Sequence, residues 1–474
     1  MKILYDNGRK TKELEVTNFY KEVADELVKE DISNGSIEVN IQVPDIGEVI
    51  YRLSLRSGTM FIVELDNTLP KSFLQDSLKP CYLTCVIPEK NAYKFYKLSP
   101  NGDDVIAEYG RMGTAKGELF GARTFTYPIR MFWIKYVEKL SKGYVDRTDL
   151  YLTQEPTNVK ADTKQEKNSN STVSAMLYQK LKSFAKNAVR EARVSVPITR
   201  QIIQESKRIL NCMYHPESLE QFNDYVLELI AILQRPVRTG DGTGVKRMLA
   251  SSENDYARII ERESDLIQAM EGMNSGNRKV ANTESFDDYK IEIYSATEKQ
   301  KKQVLSHLSD SLKGKVKNVY RVIPTKQQRR FDAYLKEHDI KTVKQLWHGS
   351  RNQNWLSIMI NSLQLNPNAI ITGKMFGQGI YFAPSSMKSW NYTSYRGTSW
   401  ASGNSDTAYM GLYAVAYGKP YDVHSHSSME DYERNTKNKG CNCLHAHAGV
   451  SLRNDEIVFY DEAAMVLNYI VEFE

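Results

Sequence analysis

The sequence predicts an α+β multidomain chain: a small α/β unit first, then a β-sheet with one helix, an all-α segment, and a β-rich C-terminal part. Three observations lead there. Runs of alternating apolar and polar residues, fit for half-buried strands, occur near the N-terminus and return after residue 286. Between them, amphipathic patterns of helical period follow one another. A polar stretch at 153–173, "TQEPTNVKADTKQEKNSNSTV", has the composition of a linker. At 474 residues the chain is too long for one ordinary core, so several domains are expected.

Composition narrows the class. Hydrophobic residues make 41% and charged residues 26%, as in a soluble globular protein. The net charge of +5 is small, so any surface for nucleic acid must be local. No apolar run of about eighteen residues occurs, so no membrane span is expected. The start, "MKILYDNGRKTKELEV", lacks the apolar stretch of a secretory signal. The cysteines, at 81, 85, 212, 441 and 443, are odd in number and poorly spread for a disulfide framework. A reducing, intracellular compartment is therefore expected: the nucleus in a eukaryote, the cytoplasm or nucleoid if the source is bacterial or viral. The 29 tyrosines offer stacking faces with polar tips, which suit aromatic ligands and β-rich packing alike.

In residues 1–77, "SIEVNIQV", "VIYRLSLRS" and "MFIVELD" read as strands, and 17–30 reads as a helix with Phe19, Val23, Leu27 and Val28 on one face. Nothing there suggests chemistry. In 78–152, "KFYKLSPNGDDVIAEYGRMG" reads as a hairpin turning at Asn-Gly-Asp-Asp. A basic, aromatic helix comes next, with Tyr127 and Pro128 in its first turn. After the linker, 174–285 is helical, and its first helix shows Met176, Leu177, Leu181 and Phe184 at apolar positions. In 286–474 short strands alternate with loops and short helices. No internal repeat is present.

Several motifs fail on inspection. "GDGTGVK", 240–246, resembles a phosphate loop, but no strand precedes it and no Ser or Thr follows the lysine. No Gly-x-Gly-x-x-Gly opens a helix after a strand. "CNCLHAHAG", 441–449, places Cys441, Cys443, His445 and His447 at alternate positions, which on a strand share one face. Finger and ribbon ligands are spaced further apart, so coincidence outweighs a metal site and no metal is expected.

"LWHGSR", 346–351, "MFGQGIYFAPSSMKSWNY", 375–392, and "SLRNDEIVFYDEAAMVLNYIVEF", 451–473, occur in that order. Together they resemble the catalytic domain of the poly(ADP-ribose) polymerases, ADP-ribosyltransferases with a His-Tyr-Glu triad. The resemblance spans about 286–474 and implies a split, mainly antiparallel β fold that takes NAD+ as substrate. It implies that His348 hydrogen-bonds the adenosine ribose with Ser350 beside it, and that Gly349 lets the backbone approach the nicotinamide carboxamide. Tyr381 and Tyr392 would sandwich the nicotinamide ring, and Ser389 would donate to its carboxamide oxygen. Glu456 would hold the 2′-hydroxyl of the nicotinamide ribose and stabilise the oxocarbenium-like state. Lys388 lies near the acceptor side in the family. Because the glutamate accompanies chain elongation there, polymer formation is expected. Ser357 stands where the family often has glycine, Gln364 where an arginine often touches the donor, and Lys374 replaces a common tyrosine. The loop before Glu456 is short for the family.

Upstream, 94–147 resembles the WGR domain, named for Trp-Gly-Arg, with Tyr109, Gly110 and Arg111 at the triplet. In relatives the aromatic residue and the arginine engage DNA at a break; Lys139 is a further candidate contact. Ten Lys or Arg against six Asp or Glu give this stretch a charge of +4, the local excess that phosphate contact needs. The helical region occupies the place of the family's regulatory helical domain. The resemblance therefore implies a monomeric poly(ADP-ribose) polymerase, stimulated by DNA with strand breaks and modifying protein acceptors including itself. The alternatives are a mono-ADP-ribosyltransferase with another trigger such as RNA, and an inactive nucleic-acid-binding scaffold.

Overall fold

The computed structural model describes residues 1–33, 35–56, 58–67, 69–70, 73, 78–114, 121–152, 170–237, 244–275, 285–365 and 375–474. The chain divides into two compact units: Met1–Glu155 with Gln234–Met248, and Pro156–Leu233 with Leu249–Glu474.

The first unit holds two five-stranded sheets. Strands β1 (Lys2–Asp6), β2 (Thr11–Glu15), β3 (Ser36–Val43), β4 (Gly47–Arg56) and β5 (Thr59–Asn67) form one, in the order β2-β1-β3-β4-β5. Helix α1 (Phe19–Leu27) is capped by the Asn18 side chain and buries Phe19, Val23 and Leu27. The second sheet runs β10-β6-β7-β8-β9, with β6 Cys81–Ile87, β7 Ala92–Asn101, β8 Asp104–Arg111, β9 Arg123–Pro128 and β10 Val145–Asp146. The β7–β8 turn closes on Asn101 and Asp104, with Gly102 at φ +62°. Helix α2 (Phe132–Ser141) carries Ile134 and Val137 into the same apolar cluster as α1 and the first sheet. Helix α3 (Thr148–Tyr151) comes after β10.

Pro128 ends strand β9 and does not open the helix, contrary to the sequence reading. It pairs with Asp104, and a 3-10 turn over Ile129–Met131 intervenes before α2. The strand lies at the sheet edge, where a missing N–H is tolerated.

The second unit opens with helices α4 (Asn170–Ala192), α5 (Arg200–Cys212), α6 (Leu219–Ile232) and α7 (Tyr256–Ser275). In α4 the buried row is Leu177, Leu181, Ala185 and Val189, an i, i+4 stripe; Met176 points outward, 66% exposed. Residues 153–169 of the linker lie outside the described residues, as do 240–243 of the phosphate-loop lookalike.

The later strands form two sheets, and all their pairings are antiparallel except one. The first runs β11-β12-β19-β15-β13. Its strands are β11 (Ile291–Ser295), β12 (Val316–Pro324), β13 (Val343–Gly349), β15 (Ala408–Ala416) and β19 (Met465–Phe473). The second runs β14-β18-β17-β16, from β14 (Ile380–Phe382), β16 (Pro420–Val423), β17 (Cys443–Ala446) and β18 (Glu456–Phe459). Helices α8 (Glu298–Ser306), α9 (Asp310–Lys313), α10 (Thr325–Glu337), α11 (Trp355–Asn361), α12 (Ser386–Trp390) and α13 (Tyr432–Asn438) connect and flank them. The fold is thus mixed helix and sheet, with mainly antiparallel sheets. Among the described residues no helix is long and apolar enough to cross a membrane.

Candidate active site

The two sheets of the second unit meet at Trp347 and Ala383, which exchange both backbone hydrogen bonds at 3.0 Å. That junction brings the end of β13 against β14. His348, 7% exposed, sits there with Nδ1 at 3.0 Å from the Tyr381 carbonyl. A carbonyl only accepts, so Nδ1 carries the proton. Burial lowers the imidazole to about 4, leaving the ring neutral at ordinary pH, with Nε2 as its acceptor. Gly349 follows at the point of closest approach: a Cβ there would lie 1.9 Å from the Ser389 carbonyl oxygen.

Strand β14 pairs with β18, Tyr381 opposite Val458 and Phe382 opposite Ile457, which places Glu456 at the same end as Ala383. Tyr381 accepts from Phe376 N at 3.0 Å and donates to Gly377 O at 2.9 Å, so its ring is anchored by the glycine turn before it. Burial raises the Tyr381 and Tyr392 phenols, the latter to about 12, and the Glu456 carboxylate adds to both. The three side chains therefore share one neighbourhood, and Tyr392 also stacks against Trp400 at 6.4 Å and 14°.

Glu456 is 6% exposed. Its Oε1 meets Lys388 Nζ at 2.5 Å, and the same ammonium donates to Asn454 O at 3.2 Å. Its Oε2 is buried and has no hydrogen-bond partner among the described residues. An unpartnered buried carboxylate oxygen is costly unless a ligand donor meets it. A ribose hydroxyl is a fitting donor, so the residues present suit an NAD+ molecule. Ser389 is also at the site, but its hydroxyl donates to Trp347 O at 3.0 Å; donation to a carboxamide requires it to rotate.

The segment after the histidine was only partly legible in sequence. Ser350 Oγ accepts from Asn354 Nδ2 at 3.1 Å. Helix α7 grips the neighbouring residues: Arg351 pairs with Glu261 at 2.6 Å and Asp265 at 3.2 Å, and Asn354 donates to Asp265 at 2.8 Å. Burial raises the Asp265 carboxyl to about 6 despite the guanidinium beside it. Ser357 donates to Glu271 at 3.0 Å, and Lys207 bridges Glu271 and Gln364 at 2.5 and 3.2 Å. Two departures noted in the sequence, Ser357 and Gln364, are thus contacts with the helical segment. The loop 366–374, with Lys374, lies outside the described residues. In the same sheet as His348, Glu472, fully buried, binds Tyr409, Tyr320, Asn318 and Lys180 of α4. No motif announced that residue.

In the first unit, Tyr109 is exposed on β8 and stacks on Tyr96 at 5.9 Å. Lys139 does not reach outward. Its ammonium lies over the rings of Tyr96 and Tyr144, at 4.4 and 5.7 Å, and burial lowers it to about 8. Arg111 also turns inward, donating to Asn91 O at 3.0 Å and Asn91 Oδ1 at 3.2 Å. At Gly110 a Cβ would come within 3.0 Å of Gly121 O. The exposed face there is Tyr109 with Arg123 paired opposite.

The Cys441, Cys443, His445, His447 row is split. The cysteines turn to backbone carbonyls, Cys443 to Tyr417 O at 3.3 Å and Cys441 to Lys439 O at 3.7 Å. The histidines instead meet Asp422.

Residues 292–474 match the family described as the poly(ADP-ribose) polymerase catalytic domain. The poly(ADP-ribose) polymerase-like protein 100L of Invertebrate iridescent virus 6 is 28% identical over 160 residues, 32% of this chain and 83% of that one. The poly(ADP-ribose) polymerase of Drosophila melanogaster is 31% identical over 150 residues, 31% of this chain but 15% of its own length. Human poly(ADP-ribose) polymerase 2 is 58% identical over 48 residues, 10% of this chain and 8% of its own. The chain thus spans a small part of the fly and human proteins. Residues 292–474 are thus a poly(ADP-ribose) polymerase catalytic domain, the ADP-ribosyltransferase part of this chain.

Proposed function

We propose that the protein cleaves the nicotinamide–ribose bond of NAD+, transfers ADP-ribose to protein acceptors including itself, and extends the product into a polymer. The observation that carries this reading is Glu456 Oε2: buried, unpartnered among the described residues, and beside Tyr381 and Tyr392. As the C–N bond breaks, its electron pair leaves with nicotinamide, and positive charge builds on the ribose. Glu456 accepts from the ribose 2′-hydroxyl and stabilises that charge, while Lys388 fixes the carboxylate from its other oxygen. The two tyrosine faces hold the departing ring. Neutral His348 offers Nε2 to the adenosine ribose.

The same proposal includes stimulation by broken DNA. The +4 charge of 94–147 and the exposed Tyr109 support it, as does the grip of α7 on Arg351 beside the donor site. Loosening that grip would be an order–disorder switch.

The test is product size. The full chain with labelled NAD+ and nicked DNA yields a slow-migrating labelled ladder. Glu456→Gln lowers nicotinamide release about 10²–10³-fold, the usual loss for one transition-state contact. One label per acceptor would replace polymerisation with single transfer; no release of nicotinamide at all would overturn the enzyme reading.

A further inference from the structure

We propose that Asp422, His445 and His447 bind one divalent transition-metal ion of zinc's class, in a site one strand away from Glu456. Their ligand atoms lie within 4.8 Å of one another. The placement comes from register. Strands β16 and β17 run parallel with Asp422 opposite His445, and His447 stands two residues on, on the same face. Asp422 Oδ1 is 2.7 Å from His447 Nε2 and 3.9 Å from His445 Nδ1. The two imidazoles stack at 3.9 Å and 27° on one side of this carboxylate.

The hydrogen bonds already favour coordination. His445 Nε2 faces Asp455 Oδ2 at 3.0 Å, and its Nδ1 faces the Tyr417 hydroxyl at 2.7 Å. A carboxylate accepts, so the proton is on Nε2, and the Nδ1 lone pair accepts from the Tyr417 hydroxyl with Asp422 Oδ1 3.9 Å away. This is the carboxylate–histidine arrangement that orients metal ligands. Asp455 is itself fixed by the Ala448 N–H at 2.8 Å. His424 stacks on His447 at 4.5 Å.

Binding exchanges two hydrogen bonds, from Tyr417 to His445 and from His447 to Asp422, for three coordinate bonds; His447 stays neutral by moving its proton to Nδ1. Tetrahedral coordination at about 2.0–2.2 Å needs donors about 3.3 Å apart, so Asp422 Oδ1 must draw nearer to His445 Nδ1 from 3.9 Å and move off His447 Nε2 from 2.7 Å. Asp422 and His447 have room for it, being 50% and 29% exposed. Two imidazoles and one carboxylate select zinc-like ions over magnesium or calcium.

The experiment uses the full chain without a histidine tag, stripped with chelator, and titrated with Zn2+ by calorimetry and with Co2+ by absorption. One equivalent binds. The Co2+ spectrum lacks a thiolate charge-transfer band, and Cys441→Ser leaves it unchanged. Asp422→Asn and His447→Gln each weaken binding at least tenfold. Absence of a saturable equivalent, full affinity in both variants, or a thiolate band overturns the proposal. None of these outcomes bears on the transferase reading.

Discussion

Acidification probes the buried imidazole directly. His348 titrates near 4 in the folded chain because burial penalises its charged form, whereas an unfolded histidine titrates near 6.5. The folded value is depressed, so the unfolded chain takes up the proton first. The stability contribution is complete above about pH 6.5 and is lost as pH falls toward 4. The whole gap is worth about 3 kcal/mol, and at pH 5 about 2 kcal/mol of it is gone. Asp265 acts with the opposite sign: its carboxyl is raised to about 6 by burial, so the native state gains stability as pH falls through that value. The wild type alone therefore conceals both effects, and the comparison with His348→Asn separates them. Urea unfolding followed by tryptophan fluorescence is suited to this, since Trp347 and Trp355 are buried close to the ring. From pH 7.5 to pH 5 the wild type should lose about 2 kcal/mol more than the variant. Equal losses would refute the reasoning, because the ring would then be solvated or charged in the native state.

Three further outcomes are expected from the geometry. Gly349→Ala places a methyl 1.9 Å from the Ser389 carbonyl, so the backbone must shift; a loss of about 1–3 kcal/mol in a melting experiment, together with weaker NAD+ binding, is expected. Glu261→Gln with Asp265→Asn removes both charges that hold Arg351, and nicotinamide release without DNA should rise about 5–100-fold; an unchanged basal rate would show that α7 does not restrain the site. Tyr109→Ala removes one exposed stacking face and should weaken binding of nicked DNA about 5–100-fold while leaving the DNA-free rate alone, read by fluorescence anisotropy; unchanged affinity would remove Tyr109 from the contact.

Much of the local structure was legible because it depends on local order. The alternation in 36–43 became β3, and the Asn-Gly-Asp-Asp turn joined β7 to β8. The helical spacing of Phe19, Val23 and Leu27 became the buried face of α1. Periodicity was less able to rank neighbours: it placed Met176 beside Leu177, yet only Leu177 faces the core. It also drew Pro128 into a helix that starts four residues later, because pairing with Asp104 extends the strand.

The sequence by itself determined which residue types stand at the mouth of the site: the histidine and glycine ending one strand, the tyrosine after a glycine turn, and the glutamate opening another. Short-range spacing encodes those positions. Tertiary structure alone decided what each side chain does with its polar atoms. It gave Lys388 to one oxygen of Glu456 and left the other without a partner among the described residues, folded Lys139 onto tyrosine rings, and set Asp422 rather than the cysteines beside His445 and His447. Burial and pairing depend on neighbours tens or hundreds of residues away, and no local pattern carries that information.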